Sequence, residues 1–239
     1  MPSQALSYRA LARKDLSGAS RQLPLKGEPK PLPLGEVALR SNDGEGKDAK
    51  GEYKMQYELN TPCTAADLAP LKAGDTVLLS GVVYTARDQA HKRMLEALDR
   101  GEKLPFDLEG SAIYYVGPTP ERPGEVIGSA GPTTSGRMDA MSPRLLDLGN
   151  KIMIGKGKRD AAVKEAVVRN GAVYLAALGG AGALMAQSVQ TLEVIAWPDL
   201  GCEAVRRLTV EKMPLTVILD AHGGDLYEAG PAAYLETVK

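Results

Sequence analysis

The segment Gly131-Pro132-Thr133-Thr134-Ser135-Gly136-Arg137-Met138-Asp139 holds the densest set of chemically useful residues in the chain. Its G-x-x-x-x-G spacing is that of a phosphate loop, but Arg137 and Met138 stand where such a loop needs Lys and then Ser or Thr. The hydroxyl that would hold magnesium is therefore missing. Backbone N–H groups at a helix start still favour a small anion, a carboxylate as readily as a phosphate. The same residues also suit an ordinary Gly/Pro turn with a Ser/Thr cap. Two further cations directly follow apolar runs, Arg87 in YTARDQAH and Lys156 in MIGKGKRD. Arg suits a bidentate grip on a carboxylate and Lys a compact point charge, although either can be a solvated surface residue. Asp88 reads as a helix-capping partner of Thr85, and His91 as a packing or capping residue one turn on. The run Asp220-Ala221-His222-Gly223-Gly224-Asp225 either gathers two carboxylates and an imidazole for a metal or forms a turn after a strand.

These residues need elements to position them. Short β-branched runs predict strands at Thr76–Tyr84, Ala112–Val116, Ala172–Leu178, Leu192–Trp197 and Leu215–Ala221. Ala86, Ala90, Met94, Leu95 and Leu98 recur at helical spacing, with Thr85 and Asp88 forming a capping box for that helix, which runs to about Arg100. Further helices are predicted over Arg137–Leu148, Asp160–Arg169 and Ala181–Gln190. Gly179, Gly180 and Gly182 do not meet the G-x-G-x-x-G dinucleotide fingerprint and read as tight strand-to-helix packing. The alternation gives a mixed α/β fold with function on loops at strand ends. Residues 1–52 are read as an extended arm, because Gln22–Gly51 is rich in Pro, Gly, Lys and Asp without apolar periodicity. That arm is either a strap on a partner or a flexible leader, and residues 53–239 form the folded catalytic domain.

Composition removes several classes. In 239 residues, 29 basic and 30 acidic side chains give a net charge of −1, which supplies no footprint for nucleic acid or anionic membrane. No apolar run is long enough to span a bilayer, and the N-terminus lacks an apolar signal core; Arg9, Arg13 and Lys14 faintly suggest a transit peptide that Asp15 interrupts. The expected location is the cytoplasm. Cys63 and Cys202 are the only cysteines and His91 and His222 the only histidines, so the chain cannot hold an iron–sulfur cluster by itself, and no metal ligand is assigned to it.

Five motifs in order, GDTVLLSGVVYTARDQAHKRM, GPTTSGRMD, MIGKGKRD, GAVYLAALGGAGALMAQSV and PDLGCEAVRRLTVEKMPLTVILDAHGGDLY, resemble the β subunit or C-terminal domain of class I iron–sulfur fumarate hydratases and the related L-tartrate dehydratases. The resemblance spans roughly Tyr53 to Gly230 and implies a swivelling β/β/α domain. It implies that a separate, Cys-containing α subunit supplies a [4Fe–4S] cluster, in a hetero-oligomer whose active site lies between the two chains and acts on a small dicarboxylate. Carried over by motif, Thr133 matches the base that takes the C3 proton of malate, and Arg87, Arg137 and Lys156 match the substrate-binding cations. Clustered cations could stabilise the developing enediolate, but Thr133 would need ionising to act as a base. Many fumarases read GPTTAGRMD and KGNRS, so Ser135, Lys158 and Asp160 depart from that pattern. Tartrate enzymes tend to lack the Gly-Arg-Met-Asp form, which favours malate and fumarate. The expected activity is fumarate hydratase, with L-tartrate or methyl-fumarate-type dehydration, or dicarboxylate binding without turnover, as alternatives.

Overall fold

In a computed structural model the residues described are 54–178 and 180–237. The expected arm, residues 1–52, lies outside them. The strands are β1 (Gln56–Thr61), β2 (Thr76–Thr85), β3 (Ala112–Tyr114), β4 (Ile152–Gly155), β5 (Val173–Ala176), β6 (Val189–Ala196) and β7 (Val205–Leu219). The helices are α1 (Ala65–Leu68), α2 (Asp88–Asp99), α3 (Ser142–Asp147), α4 (Ala161–Asn170), α5 (Gly182–Gln187) and α6 (Leu226–Thr237). Short 3-10 helices cover Ser135–Met138 and Pro198–Glu203.

The sheet order is β1-β2-β3-β4-β5-β7-β6, and β2 also pairs with β7. Those pairings close β2, β3, β4, β5 and β7 into a ring. Within it β2, β3, β4 and β5 run parallel, whereas β7 is antiparallel to both β2 and β5. Alternation along each strand divides the core in two. One face, with Val77, Leu79, Tyr114, Ile154, Leu175 and Val217, fills the space inside the ring. The opposite face, with Ile113, Met153, Tyr174 and Ile218, packs against Ala90 and Met94 of α2, Leu145 and Leu146 of α3, and Val163, Ala166 and Val167 of α4. This is the mixed α/β fold that the sequence implied.

Several boundaries differ from expectation for local reasons. The helix expected over Arg137–Leu148 is split into the Ser135–Met138 turn and α3, which starts with Pro143 in its first turn, where a missing N–H costs nothing. Thr85 does not cap α2. It ends β2, donates its hydroxyl to the Ala204 carbonyl at 3.3 Å and accepts the Arg206 N–H at 3.0 Å, while Arg87 takes the cap position without a side-chain bond. The Leu215–Ala221 strand is the end of the far longer β7. By contrast α4 begins as expected, Asp160 accepting from the Val163 N–H at 2.9 Å, and ends on Gly171 in the left-handed region.

Gly155, the last residue of β4, sits where only a hydrogen fits. A Cβ there would overlap Ser135 Oγ and stand 3.1 Å from the Tyr115 ring. Gly155→Ala is expected to cost about 1–3 kcal/mol by overpacking, read as a lower urea midpoint with an unchanged m value.

Candidate active site

The carboxyl ends of the parallel strands β2, β3 and β4 lie side by side, and loops at strand ends are where an α/β fold usually carries its function. Arg87 follows β2 by two residues and Lys156 follows β4 directly. Thr133 is fastened to the end of β3, its N–H donating to the Tyr115 carbonyl at 2.7 Å, with Pro132 bridged to Val116. Thr134 forms a parallel bridge with Lys156; the Ser135 N–H donates to the Lys156 carbonyl at 2.8 Å, and the Lys156 N–H returns to Ser135 Oγ at 3.0 Å. Tyr174 of β5 donates its hydroxyl to the same Ser135 Oγ at 2.9 Å. Ser135 thus has a structural task. All four expected residues, Arg87, Thr133, Arg137 and Lys156, fall on one rim.

The two arginines share a carboxylate. Arg137 Nε donates to Asp88 Oδ1 at 2.7 Å, and its side chain remains 51 % exposed. Arg87 is more enclosed at 17 %, with Nε 3.8 Å from Asp88 Oδ2 and Nη2 3.5 Å from Glu203 Oε1. Arg87 Nε and Asp88 Oδ2 are buried without a hydrogen bond. Asp88 is therefore no N3 capping partner but the link between two cations. Glu203 was not anticipated; it stands in the DLGCE motif, and its other oxygen accepts the Gln89 N–H at 2.8 Å, capping α2 from outside. His91 packs, as expected, edge-on against the Tyr115 ring, with Nδ1 donating to the Arg87 carbonyl at 3.0 Å.

A second unanticipated group lies beneath the rim. Arg159 has a fully buried side chain, donates through Nε to Asp139 at 2.6 Å and through Nη2 to Ser142 Oγ at 2.9 Å, and lies between the rings of Tyr115 and Tyr174. The other Asp139 oxygen accepts the Asp160 N–H at 2.7 Å. The acid of GRMD and the cation of KGKRD thereby lock the two motifs together. Asp160 is engaged in capping α4, whereas Lys158 is exposed.

The Asp220–Asp225 run is a turn that leads into α6. Asp220 Oδ1 accepts the N–H groups of His222 and Gly224, both at 2.9 Å, and Oδ2 accepts that of Ala73 at 2.8 Å. Among the described residues no three His, Cys, Asp or Glu side chains gather. Cys63 is buried, and burial, with the nearby charge of Asp67, pushes its thiol up to about 11, away from the thiolate a cluster would need. Two cysteines of such different exposure do not fit an iron–sulfur cluster. Gly182 meets the tight-packing expectation: a Cβ there would overlap Ser129 Oγ and stand 3.0 Å from the Gly131 nitrogen, which brings α5 against the GPTT segment.

A family model described as Fumarase C-terminus matches residues 38–230. The chain belongs to this family. The match begins upstream of Tyr53, where the resemblance read from the five motifs begins. Among relatives of known name, a putative L(+)-tartrate dehydratase subunit beta of Methanocaldococcus jannaschii is 42% identical over 180 residues, 73% of this chain and 92% of that protein. The aerobic class I fumarate hydratase of Escherichia coli is 36% identical over 186 residues, 76% of this chain but 34% of that protein. The L(+)-tartrate dehydratase subunit beta of Escherichia coli is 33% identical over 187 residues, 76% of this chain and 92% of that protein. This member of the fumarase C-terminus family thus matches nearly the whole of the tartrate dehydratase β subunits and about a third of the fumarate hydratase. Among its described residues no helix is long and apolar enough to cross a membrane.

Two outcomes test this framework. Arg159→Met strands Asp139 without its cation and is expected to cost about 3–5 kcal/mol in chemical denaturation. His91 is fully enclosed, and burial pulls its imidazole down to about 4 against about 6.5 unfolded. Its neutral form is the one the fold accepts, so its contribution is complete above about pH 6.5 and is lost as pH falls toward 4, by up to about 3 kcal/mol. His91→Gln should flatten that part of the stability profile, measured as urea midpoints from pH 7 to pH 4.

Proposed function

We propose that the chain is the β subunit of a two-subunit hydro-lyase that reversibly dehydrates (S)-malate to fumarate, with residues 53–239 as its catalytic domain. The observation that carries this reading is the convergence of Arg87, Thr133 and Lys156 on the carboxyl ends of three adjacent parallel strands, with Arg137 tied to Arg87 through Asp88. A dicarboxylate is the ligand such a rim suits. One carboxylate is gripped by a guanidinium, where planar bidentate geometry is worth more than charge alone. Removing a proton from the carbon beside the other carboxylate builds charge on its oxygens, and Lys156 and the arginines offset that charge as it develops.

Thr133 is the proposed base. An alcohol is a poor base until ionised, and cations at the same rim, Arg137 and Lys156, are the groups that favour its alkoxide. Its backbone is held by the Tyr115 carbonyl and by the bridge of its neighbour Thr134 to Lys156, which supports this assignment. In this reading the [4Fe–4S] cluster and the departure of the hydroxyl belong to a separate Cys-containing α subunit in a cytoplasmic hetero-oligomer. The cysteine content of this chain agrees with that division.

A second reading rests on a specific observation. The 42% identity to a putative L(+)-tartrate dehydratase subunit beta, together with coverage of almost its whole length, supports L-tartrate as strongly as the Gly-Arg-Met-Asp motif supports malate. Both substrates are four-carbon 2-hydroxy diacids and call for the same cations. Anaerobic dehydration rates should be near zero for this chain alone and appear on addition of its iron-loaded α subunit, the faster of (S)-malate and L-tartrate naming the substrate. Thr133→Ala in that complex should lower kcat by at least about a hundredfold, and Arg137→Ala should cost about 2–5 kcal/mol of diacid binding by calorimetry. A formed complex with an intact cluster and no turnover of either acid would leave dicarboxylate binding without catalysis.

A further inference from the structure

Glu203 and Asp88 perform none of the chemistry described above, yet they touch both arginines of the rim. Asp88 lies between them, accepting from Arg137 Nε at 2.7 Å and facing Arg87 Nε at 3.8 Å. Glu203 reaches Arg87 Nη2 at 3.5 Å with one oxygen and caps α2 through Gln89 with the other. Both carboxylates are largely enclosed, at 20 % and 17 % side-chain exposure, where charge interactions are weakly screened.

The loop that presents Glu203 is itself built for the task. Arg206 donates to the carbonyls of Gly201, Cys202 and Ala204 at 2.8–3.0 Å, which wraps the DLGCE motif around its guanidinium. Gly201 takes a positive φ of 59° in that turn. On the other side Gly117 leaves room for Arg87: a Cβ there would stand 2.6 Å from Nη1 and 3.3 Å from the Cys202 carbonyl. Two separate segments, the Glu203 loop and Gly117, thus confine one arginine, and the neighbouring Asp88 carboxylate links it to the next.

We propose that Asp88 and Glu203 are positioning residues, a carboxylate pair that braces Arg87 and Arg137 side by side so that both guanidinium groups serve one dicarboxylate. The brace has a physical rationale. Two guanidinium groups converging on one ligand repel each other before it arrives, and an interposed carboxylate offsets that repulsion while hydrogen-bonding one of them. The pair neutralises the two arginines in the free protein, which leaves Lys156 as the unbraced cation of the rim. This inference rests on the dicarboxylate reading of the site.

The test uses the complex with its α subunit and the better of (S)-malate and L-tartrate. Asp88→Asn keeps an amide oxygen for Arg137 Nε, removes the charge and turns a donor toward Arg87 Nε; Glu203→Gln likewise keeps the cap on Gln89. Each is expected to raise KM about tenfold while changing kcat by less than about threefold, with thermal midpoints within a few degrees of the parent. Asp88→Glu should recover part of the loss. Arg87→Lys and Arg137→Lys, measured alongside, should raise KM further than either neutralised carboxylate. Unchanged KM in both carboxylate variants, with KM raised in the arginine variants, overturns the brace and leaves the dicarboxylate reading standing. Unchanged KM in the arginine variants overturns that reading and the brace with it. Loss of the folded chain in both Asp88→Asn and Glu203→Gln assigns the pair to structure alone and overturns the proposal.

Discussion

A guanidinium with no solvent exposure can persist only where its charge and its donors are matched, and Arg159 is the residue on which the candidate site depends. Its partners come from distinct parts of the chain: Asp139 after the 3-10 turn, Ser142 at the start of α3, Met153 in β4, and the rings of Tyr115 and Tyr174 beside β3 and in β5. No single one of these segments could satisfy it. Because Asp139 also accepts the Asp160 N–H, the loop carrying Thr133 and Arg137 and the loop carrying Lys156 are held to each other below the rim. Above it, Ser135 repeats the connection through Lys156 and Tyr174. In the proposed reading the rim residues can therefore be partly exposed and still have defined positions, since the ordering cost falls on the buried groups beneath them.

Charge over the whole chain conceals this arrangement. A balance of 29 basic and 30 acidic residues predicts no strong field, yet one rim collects Arg87, Arg137 and Lys156. Two of the three are matched by Asp88 and Glu203, so the rim departs only modestly from neutrality. Such a site selects by geometry, through planar groups held at fixed positions, more than by long-range attraction. In the proposed reading a small diacid fits those terms better than a polyanion.

Much of this was legible in the sequence. Strand–helix alternation identified β2, β3, β5, α2 and α4, because each carries its own apolar period, and Asp160 announced the start of α4. Other features were written in non-local terms. The Thr85–Asp88 spacing fits a capping box, but Thr85 is drawn into β2 by pairing with Arg206, more than a hundred residues away. β1 has an alternating, half-exposed pattern of polar residues, and β7 is bent at Lys212, which takes a positive φ, and carries Pro214, so neither reads as a continuous strand. The four rim residues were found by type and motif. Asp139, Arg159 and Glu203 lay inside the same motifs, but what an acid or an arginine does there depends on partners the spacing alone does not name.

The closure of the strand ring has a kinetic meaning. β2 leads from the N-terminal part of the described chain into Arg87, yet its antiparallel partner is β7, with Thr76 opposite Thr216 and Thr85 opposite Arg206. Those pairings span some 120 to 140 residues of intervening chain. Contacts so distant in sequence raise the mean separation that slows folding, since loop closure must be met before the ring rewards it. During synthesis β2, β3, β4 and β5 would emerge with two edges unpaired, those of β2 and β5 that β7 later fills, and the loop bearing Glu203 precedes β7 by a single residue. Glu203 and the final strand of the ring are consequently neighbours in the chain, so the contact on Arg87 is available only once the segment that closes the ring has been made.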